Sequence, residues 1–171
     1  MITPLRITEF PGCKMAGMSQ LFSIDELNPS SVWQKFMPRV KTLAPIRSGN
    51  DLYAVQEYPE ISGKNQTVTP TTVKFWATVT INPDKNTVAQ PFEILEVPAG
   101  TYAVFLHKGT AAAIAQTMND IFGSWMPESG YVPDGRPHFQ VMTPEYKGPQ
   151  NPEAEEEVWI PIRSVQQPVK G

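Results

Sequence analysis

Apolar and aromatic residues gather in four short runs that predict β-strands, two in each half of the chain. Each run is rich in β-branched and aromatic residues, which suit a pleated, half-buried surface. The runs are Leu52 to Tyr58, Val73 to Ile81, His138 to Thr143 and Glu157 to Ile162. The pattern therefore predicts two adjacent strands near the end of each half.

Apolar residues three and four positions apart predict one helix ahead of each strand pair. In the first half they are Val32, Trp33, Phe36 and Val40, with Asn28 as N-cap and Pro29 as first helical residue. In the second half they are Ile114, Met118, Ile121, Phe122 and Trp125. We expect Pro38 to kink or stop the first helix and Pro127 to stop the second, since proline removes a helical hydrogen bond.

Two short sequence segments each occur twice along the chain and in the same order, which indicates an internal duplication. Ile7–Pro11 resembles Ile94–Pro98, and Trp33–Pro38 shares the pattern aromatic-x-x-aromatic-Met-Pro with Phe122–Pro127. Each half also begins with a strand pattern interrupted by proline and glycine, at Pro11-Gly12 and at Pro98-Ala99-Gly100. Chance similarity of short apolar words is the alternative explanation.

These elements predict an α+β fold of tandem βαββ modules, related by a pseudo-twofold axis, with antiparallel sheets and a central ligand cleft. One helix covers one face of each small sheet, so pairing two modules covers the other face and leaves a cleft near the axis. We expect one domain over 1–171, with modules at 1–90 and 91–165 and a tail at 166–171.

Composition favours one globular unit and excludes several classes of function. Of 171 residues 40% are hydrophobic and 18% charged, and the net charge of −3 with scattered basic residues argues against direct nucleic-acid binding. The sequence has no apolar run of membrane length and no secretory signal pattern, so we expect no membrane association and a cytoplasmic location. Cys13 is the only cysteine, so no intrachain disulfide forms, and we interpret it as structural.

Short catalytic and metal-binding signatures are missing from the sequence. It contains no phosphate-binding loop, HExxH, GxSxG or GxGxxG motif. A zinc or haem site from His107, His138 and Cys13 is a weak alternative, because His107 ends a strand and could simply be exposed. We therefore expect neither a metal nor a cofactor.

A single carboxylate beside an aromatic strand is the most informative candidate for a binding site. Strand alternation puts Glu157 and Trp159 on one face and Val158 and Ile160 on the other. The preceding charge run, Glu153 to Glu156, is expected to be solvated. If Glu157 faces a cleft, an anion among aromatic rings suits an organic cation.

Three segments in order make the sequence similar to the GyrI-like family. Glu96–Gly109 resembles the family segment iPaG-YavF-hkG, Trp125–Tyr131 resembles W-p-SGY, and Glu157–Ile162 resembles the closing E-y-iP-i strand. The resemblance implies a tandem βαββ effector-binding domain of the kind found in AraC-type and MerR-type bacterial regulators. Such domains bind amphiphilic, often cationic, aromatic molecules, in the manner of multidrug binding. Because the resemblance fills nearly the whole chain, we expect a stand-alone form.

The family motifs imply Glu157 as the cleft glutamate, with Trp125 and Tyr131 as aromatic walls. Further ligand-binding candidates, assigned from strand parity, are Trp159, Trp33, Trp76, Tyr102 and Phe139. Thr80 stands where family members often have glutamate, and Phe139–Met142 stands where many have FEvY. Fewer carboxylates indicate a less strongly cationic ligand.

Four functions remain open at this stage. The leading one is a binding protein that sequesters or senses a hydrophobic or cationic small molecule. The second is a cyclopropanoid-type hydrolase with Glu157 as general base and Tyr131 or Tyr102 as hydrogen-bond donor. The third is a protein-interaction role, such as a gyrase inhibitor, and the fourth is haem binding by analogy with SOUL-type proteins.

Overall fold

A computed structural model describes residues 2–61 and 69–165, which form nine strands, three α-helices and several tighter or wider helical turns. The strands are β1 (Arg6–Phe10), β2 (Cys13–Ser23), β3 (Leu52–Glu57), β4 (Thr72–Ile81), β5 (Glu93–Val97), β6 (Gly100–Lys108), β7 (Tyr131–Pro133), β8 (His138–Met142) and β9 (Glu155–Ser164). The helices are α1 (Pro29–Phe36), α2 (Ile114–Asp120) and α3 (Met126–Ser129). The expected tail at 166–171 lies outside the described residues.

All nine strands belong to antiparallel pairs in one sheet. The order across the sheet is β1-β6-β9-β8-β3-β4-β2-β5, and β7 pairs with the far end of β9. The four strands predicted from the apolar runs are therefore neighbours at the centre of the sheet. The α+β class and the antiparallel pairing expected from the sequence are confirmed.

The two interrupted strands make the sheet curve strongly. Only two residues separate β1 from β2, yet five strands lie between them in the sheet, and the same holds for β5 and β6. The edges of the sheet must therefore approach each other. At Gly12, where φ is +83°, an added Cβ would lie 3.1 Å from both the Ala99 nitrogen and the Val97 oxygen, so the two interruptions touch.

Both long helical segments lie on the same face of this sheet. Ala54 of β3 pairs with Ala77 of β4 and with Gln140 of β8, which places these residues on one face. Below α1, a buried cluster includes Phe36 and Phe75, and below α2 a second one includes residues of β6 and β9. None of the described helices lies on the opposite face, which we call the helix-free face and which lies inside the curve of the sheet.

The start and the end of α1 follow the sequence prediction. Asn28 Oδ1 accepts a hydrogen bond from the Ser31 amide at 3.4 Å, and Pro29 occupies the first turn. The α-helix ends at Phe36, and the chain continues as a 3₁₀ helix over Met37–Leu43 that contains Pro38.

The expectation that Pro127 stops the second helix is wrong. After α2 the chain forms a π-helical turn over Ile121–Trp125 and then α3, which contains Pro127 in its first turn. Proline is tolerated at such a position, because the wide π turn removes the regular hydrogen bond that its nitrogen would otherwise have to donate. The helix ends instead at Gly130, where φ is +81°. Among the described helices, none has both the length and the apolar composition needed to cross a membrane.

Candidate functional site

Cross-strand pairing aligns a row of mostly aromatic and apolar side chains on the helix-free face. Because directly paired residues point to the same side of a sheet, the row can be read from the strand register. It contains one residue from each of six strands: Trp76, Val55, Phe139, Trp159, Val104 and Arg6.

Aromatic rings pack against one another around this row. Phe139 and Trp159 are stacked with ring centroids 5.1 Å apart, and Tyr102 lies 5.2 Å from Phe139. Phe10 reaches across the curved sheet and lies 5.3 to 5.8 Å from these three rings. Tyr53 contacts Phe139 from the other side at 6.1 Å. Tyr102 and Phe139 are buried, whereas the other three rings are partly exposed, so a buried aromatic floor has an accessible rim.

Glu157 lies at this rim, in the next row of the sheet. Val141 pairs with both Glu157 and Tyr53, which brings the carboxylate and the phenol onto the same face. Glu157 accepts a hydrogen bond from Trp159 Nε1 at 3.1 Å. The predicted alternation is confirmed, since Val158 and Ile160 are buried under α2 on the opposite face.

The guanidinium group of Arg6 forms an ion pair with this carboxylate. Both terminal nitrogens of Arg6 donate to the two oxygens of Glu157 at 3.2 Å, and Arg6 Cζ lies 5.4 Å from the centre of the Trp159 ring. The side chains of Arg6 and Glu157 are 45% and 33% exposed, so the ion pair is open to solvent. We call Arg6, Phe10, Tyr53, Glu157 and Trp159 the rim.

Two titratable side chains at or beside the rim, the Tyr53 phenol and the Cys13 thiol, are held in their neutral forms. Burial, with smaller contributions from the charges of Asp51 and Glu157 among others, raises the pKa of Tyr53 to about 12. Burial likewise raises the pKa of the Cys13 thiol to about 11, which makes it a poor nucleophile. The site therefore offers one carboxylate, one guanidinium and neutral aromatic surfaces.

Five of the predicted site residues lie on the helix-free face: Glu157, Trp159, Tyr102, Phe139 and Trp76. Two of them, Tyr102 and Trp76, form hydrogen bonds with residues outside the rim. The Tyr102 hydroxyl donates to the Pro137 carbonyl at 2.8 Å, and Trp76 Nε1 donates to Glu57 at 2.6 Å.

Three predicted site residues, Trp33, Trp125 and Tyr131, are not brought together with Glu157. Trp33 packs below α1, with its ring centroid 6.5 Å from that of Phe75. Trp125 and Tyr131 are stacked 6.3 Å apart in the cluster below α2. The reason is geometric, because the apolar stripe of a helix packs against the sheet face that the helix covers, and Glu157 points to the other face.

The sequence prediction missed Arg6, Phe10 and Tyr53 as members of the site. Arg6 and Phe10 alternate along β1 and share a face. This alternation was visible in the sequence, but the partner strand of β1 was not.

The expectation that Glu156 is solvated is wrong, and His107, for which exposure was an open option, is buried. Glu156 was assigned to a solvated charge run, yet it is only 7% exposed and accepts a hydrogen bond from Gln140 Nε2 at 2.6 Å. Burial raises the pKa of Glu156, opposed by the Gln140 hydrogen bond and the charge of His107. The ring nitrogens of His107, also buried, lie 2.7 Å from Thr117 Oγ1 and 2.9 Å from the Thr110 carbonyl oxygen. Alternation along β9 and pairing with β6 put both residues under α2.

The described residues contain no group of three or more histidine, cysteine, aspartate or glutamate side chains placed to hold a metal ion. His138 is buried on the helix-covered face, where its ring stacks on Phe122 at 5.9 Å. The two histidines and Cys13 thus do not form a common site.

The family model described as GyrI-like small molecule binding domain matches residues 3–163. The transcriptional regulator BrlR of Pseudomonas aeruginosa is 28% identical over 159 residues, which are 92% of this chain and 54% of that protein. The chain thus spans about half the length of this curated relative.

Solved structures with low sequence identity share the fold. SAV2435 bound to tetraphenylphosphonium has a TM-score of 0.69 at 12% identity, covering 94% of both chains. The C-terminal domain of EcmrR has a TM-score of 0.63 at 16% identity, covering 94% of this chain and 97% of that one. A hydrolase encoded by lin2189 from Listeria innocua has a TM-score of 0.55 at 10% identity, covering 92% and 91%. The match over 3–163 decides the assignment: this chain belongs to the GyrI-like small-molecule-binding domain family.

Proposed function

We propose that this protein binds an aromatic, amphiphilic small molecule at the rim and so sequesters or senses it. The observation that carries the proposal is the position of Glu157. Its carboxylate is one-third exposed at the edge of a packed aromatic floor and already holds a cationic group over the Trp159 ring.

The rim provides the interactions that such a ligand needs. A cation over an aromatic face gains about 0.5 to 2 kcal/mol, depending on how far it is desolvated. Stacking on Trp159, Phe10 and Tyr53 adds apolar contact at a surface whose rings are already fixed by their neighbours. Because the rings are held in place before binding, little side-chain entropy is lost on association.

A related structure supports the same chemical class of ligand. SAV2435, which shares the fold, has been solved with tetraphenylphosphonium, a cation surrounded by four phenyl rings. A ligand of this kind fits a site that combines one carboxylate with several aromatic surfaces.

We also infer that the chain consists of two βαββ modules, 1–90 and 91–165, related by a pseudo-twofold axis. The strand order is symmetric under this relation. If each strand of the first module is exchanged with its counterpart in the second, the order across the sheet reads the same from the other edge; the exchanged pairs are β1 with β5, β2 with β6, β3 with β8 and β4 with β9. Under this exchange, register places Trp76 in the first half where Glu157 stands in the second. The carboxylate at this position therefore belongs to the second half alone.

The hydrolase alternative receives less support from the geometry. Tyr131 lies on the opposite face from Glu157, and the Tyr102 hydroxyl already donates to the Pro137 carbonyl. Neither phenol is thus available to a substrate beside Glu157. Similarity to the Listeria innocua hydrolase reflects the fold alone.

Titration with tetraphenylphosphonium tests the proposal. We expect saturable heat in calorimetry and a change in tryptophan fluorescence, since Trp159 lies in the rim. Glu157→Gln should weaken binding by about tenfold, roughly 1.4 kcal/mol, because it removes a charge-assisted contact while keeping the shape. Glu145→Gln is the matched control, since Glu145 is exposed outside the site and its replacement changes the net charge equally. No saturable binding, or equal affinity in the wild type and Glu157→Gln, would refute the proposed role.

A further inference from the structure

Arg6 makes the contacts that a cationic ligand would make with the rim. It forms two 3.2 Å contacts with the carboxylate of Glu157, and its guanidinium lies over the Trp159 ring at 5.4 Å. We propose that Arg6 is a specificity-determining residue, a resident cation that occupies this subsite and lowers the preference of the rim for cationic over neutral aromatic molecules. The inference rests on the proposed function.

The register of the sheet explains how Arg6 reaches Glu157. Arg6 pairs with Val104 of β6, and Val104 pairs with Trp159 of β9, so all three point to the helix-free face. The arginine side chain then spans the width of β6 to reach the carboxylate. Its place is therefore set by the backbone pairing of β1 rather than by a flexible loop.

The Arg6 side chain can leave the subsite without disturbing the fold. Arg6 and Glu157 are 45% and 33% exposed, and exposed ion pairs contribute little to stability because water and salt screen them. The backbone of Arg6 stays bonded to β6 whichever way the side chain points. A ligand thus has to displace only the side-chain contact between Arg6 and Glu157, and the β1–β6 pairing stays in place.

Competition with a tethered guanidinium penalises one class of ligand and favours another. A cation must displace Arg6 before it can approach Glu157, whereas a neutral aromatic molecule can pack against the exposed parts of Phe10 and Tyr53 with the ion pair intact. An acceptor oxygen on that molecule can also take hydrogen bonds from the guanidinium. The favoured ligand is therefore an aromatic molecule of low net charge that carries an acceptor oxygen.

Two probes with the same three phenyl rings separate charge from shape. Methyltriphenylphosphonium is a cation, and triphenylphosphine oxide is neutral with an acceptor oxygen. Dissociation constants for both are measured by calorimetry with wild type, Arg6→Gln and, as control, Arg39→Gln, which makes the same change of net charge at an exposed site on the helix-covered side. Circular dichroism and the melting temperature verify that each variant is folded.

We expect Arg6→Gln to bind methyltriphenylphosphonium about tenfold more tightly than wild type, with triphenylphosphine oxide unchanged or weaker. The Arg39→Gln control should leave both affinities within about twofold. The gain should disappear in the double variant Arg6→Gln/Glu157→Gln, because a resident cation matters only while the carboxylate is present.

Failure of this inference is distinguishable from failure of the proposed function. Equal or weaker binding of the cation by Arg6→Gln, with saturable binding by wild type, overturns the role of Arg6 and leaves the binding face in place. An equal gain in affinity for both probes also overturns it, since the substitution would then act by making space in the rim and not by removing a positive charge. No saturable binding of either probe by any folded variant overturns both.

Discussion

Replacing His138 with phenylalanine is expected to remove a large part of the acid sensitivity of the fold. The imidazole is buried on the helix-covered face, stacked on Phe122 and 5.2 Å from the Tyr58 ring. Burial disfavours the charged form and lowers the pKa of His138 from 6.5 to about 4. Phenylalanine keeps an aromatic ring between the same neighbours and cannot take up a proton.

The size of the effect follows from the two pKa values. The unfolded chain binds a proton at His138 below about pH 6.5, whereas the folded chain does so only below about pH 4. The contribution of neutral His138 to the free energy of unfolding is therefore fully present above about pH 6.5 and is lost as the pH falls towards 4. A gap of about 2.5 pH units corresponds to roughly 3 kcal/mol.

Urea unfolding of wild type and His138→Phe between pH 4 and pH 8, followed by tryptophan fluorescence, measures this loss. The informative quantity is the difference in free energy of unfolding between the two proteins, because contributions of the carboxylates cancel in it. We expect that difference to move by roughly 3 kcal/mol in favour of the variant between pH 7 and pH 4. Any fixed cost of fitting the larger phenyl ring shifts the difference equally at every pH.

A difference that stays constant from pH 7 to pH 4 would refute the reasoning. It would mean that folded His138 takes up its proton as readily as the unfolded chain does. A shift in the opposite direction would mean that the folded protein stabilises the imidazolium.

Two further predictions concern buried positions. Gly17→Ala should destabilise the fold by about 3 kcal/mol or more, since its Cβ would lie 1.9 Å from the Ala77 carbonyl oxygen; Gly123→Ala, where nothing lies within 4 Å, should not lower the melting temperature. Glu156→Gln should increase the free energy of unfolding at pH 8 and lose this advantage at pH 4, because burial raises the pKa of Glu156 and glutamine keeps the acceptor for Gln140. Equal urea midpoints for wild type and Glu156→Gln at pH 8 would contradict this.

Strand alternation was enough to assign one half of the candidate site. Glu157 and Trp159 alternate with Val158 and Ile160, and the apolar pair identifies the buried side. The same alternation continues back to Glu156 and places it on the side covered by α2. The acidic run that contains Glu156 obscured this signal. Its composition suggested a solvated loop, whereas the two-residue alternation along the strand predicted that Glu156 is buried.

The partner strands of β1 and β5 could not be predicted from the sequence. A two-residue interruption allows the segments on its two sides to pair with the same neighbours or with different ones, and local patterning is identical in both cases. The contact between Arg6 and Glu157, 151 residues apart, depends entirely on that choice. The site could thus be predicted around its glutamate but not around its arginine.

Aromatic motifs alone do not reveal which face of the sheet a residue joins. Trp33 and Trp125 lie in helical segments whose apolar stripes form the cores below α1 and α2. Their helical spacing was visible in the sequence and assigns them to the covered face. Similarity of the segment Trp125–Tyr131 to a family motif indicated membership, not the position of its side chains relative to Glu157.

The crossed pairing of the two interrupted strands ties the halves of the chain together. Among the described strands, β1 of the first half pairs with β6 and β5 of the second half pairs with β2, so each half contributes an edge strand beside the other half. Loss of order in either half therefore removes a strand partner from the other half. Under the module relation that we propose, the position of Glu157 in 91–165 corresponds to Trp76 in 1–90, so a symmetric strand order carries an asymmetric candidate site.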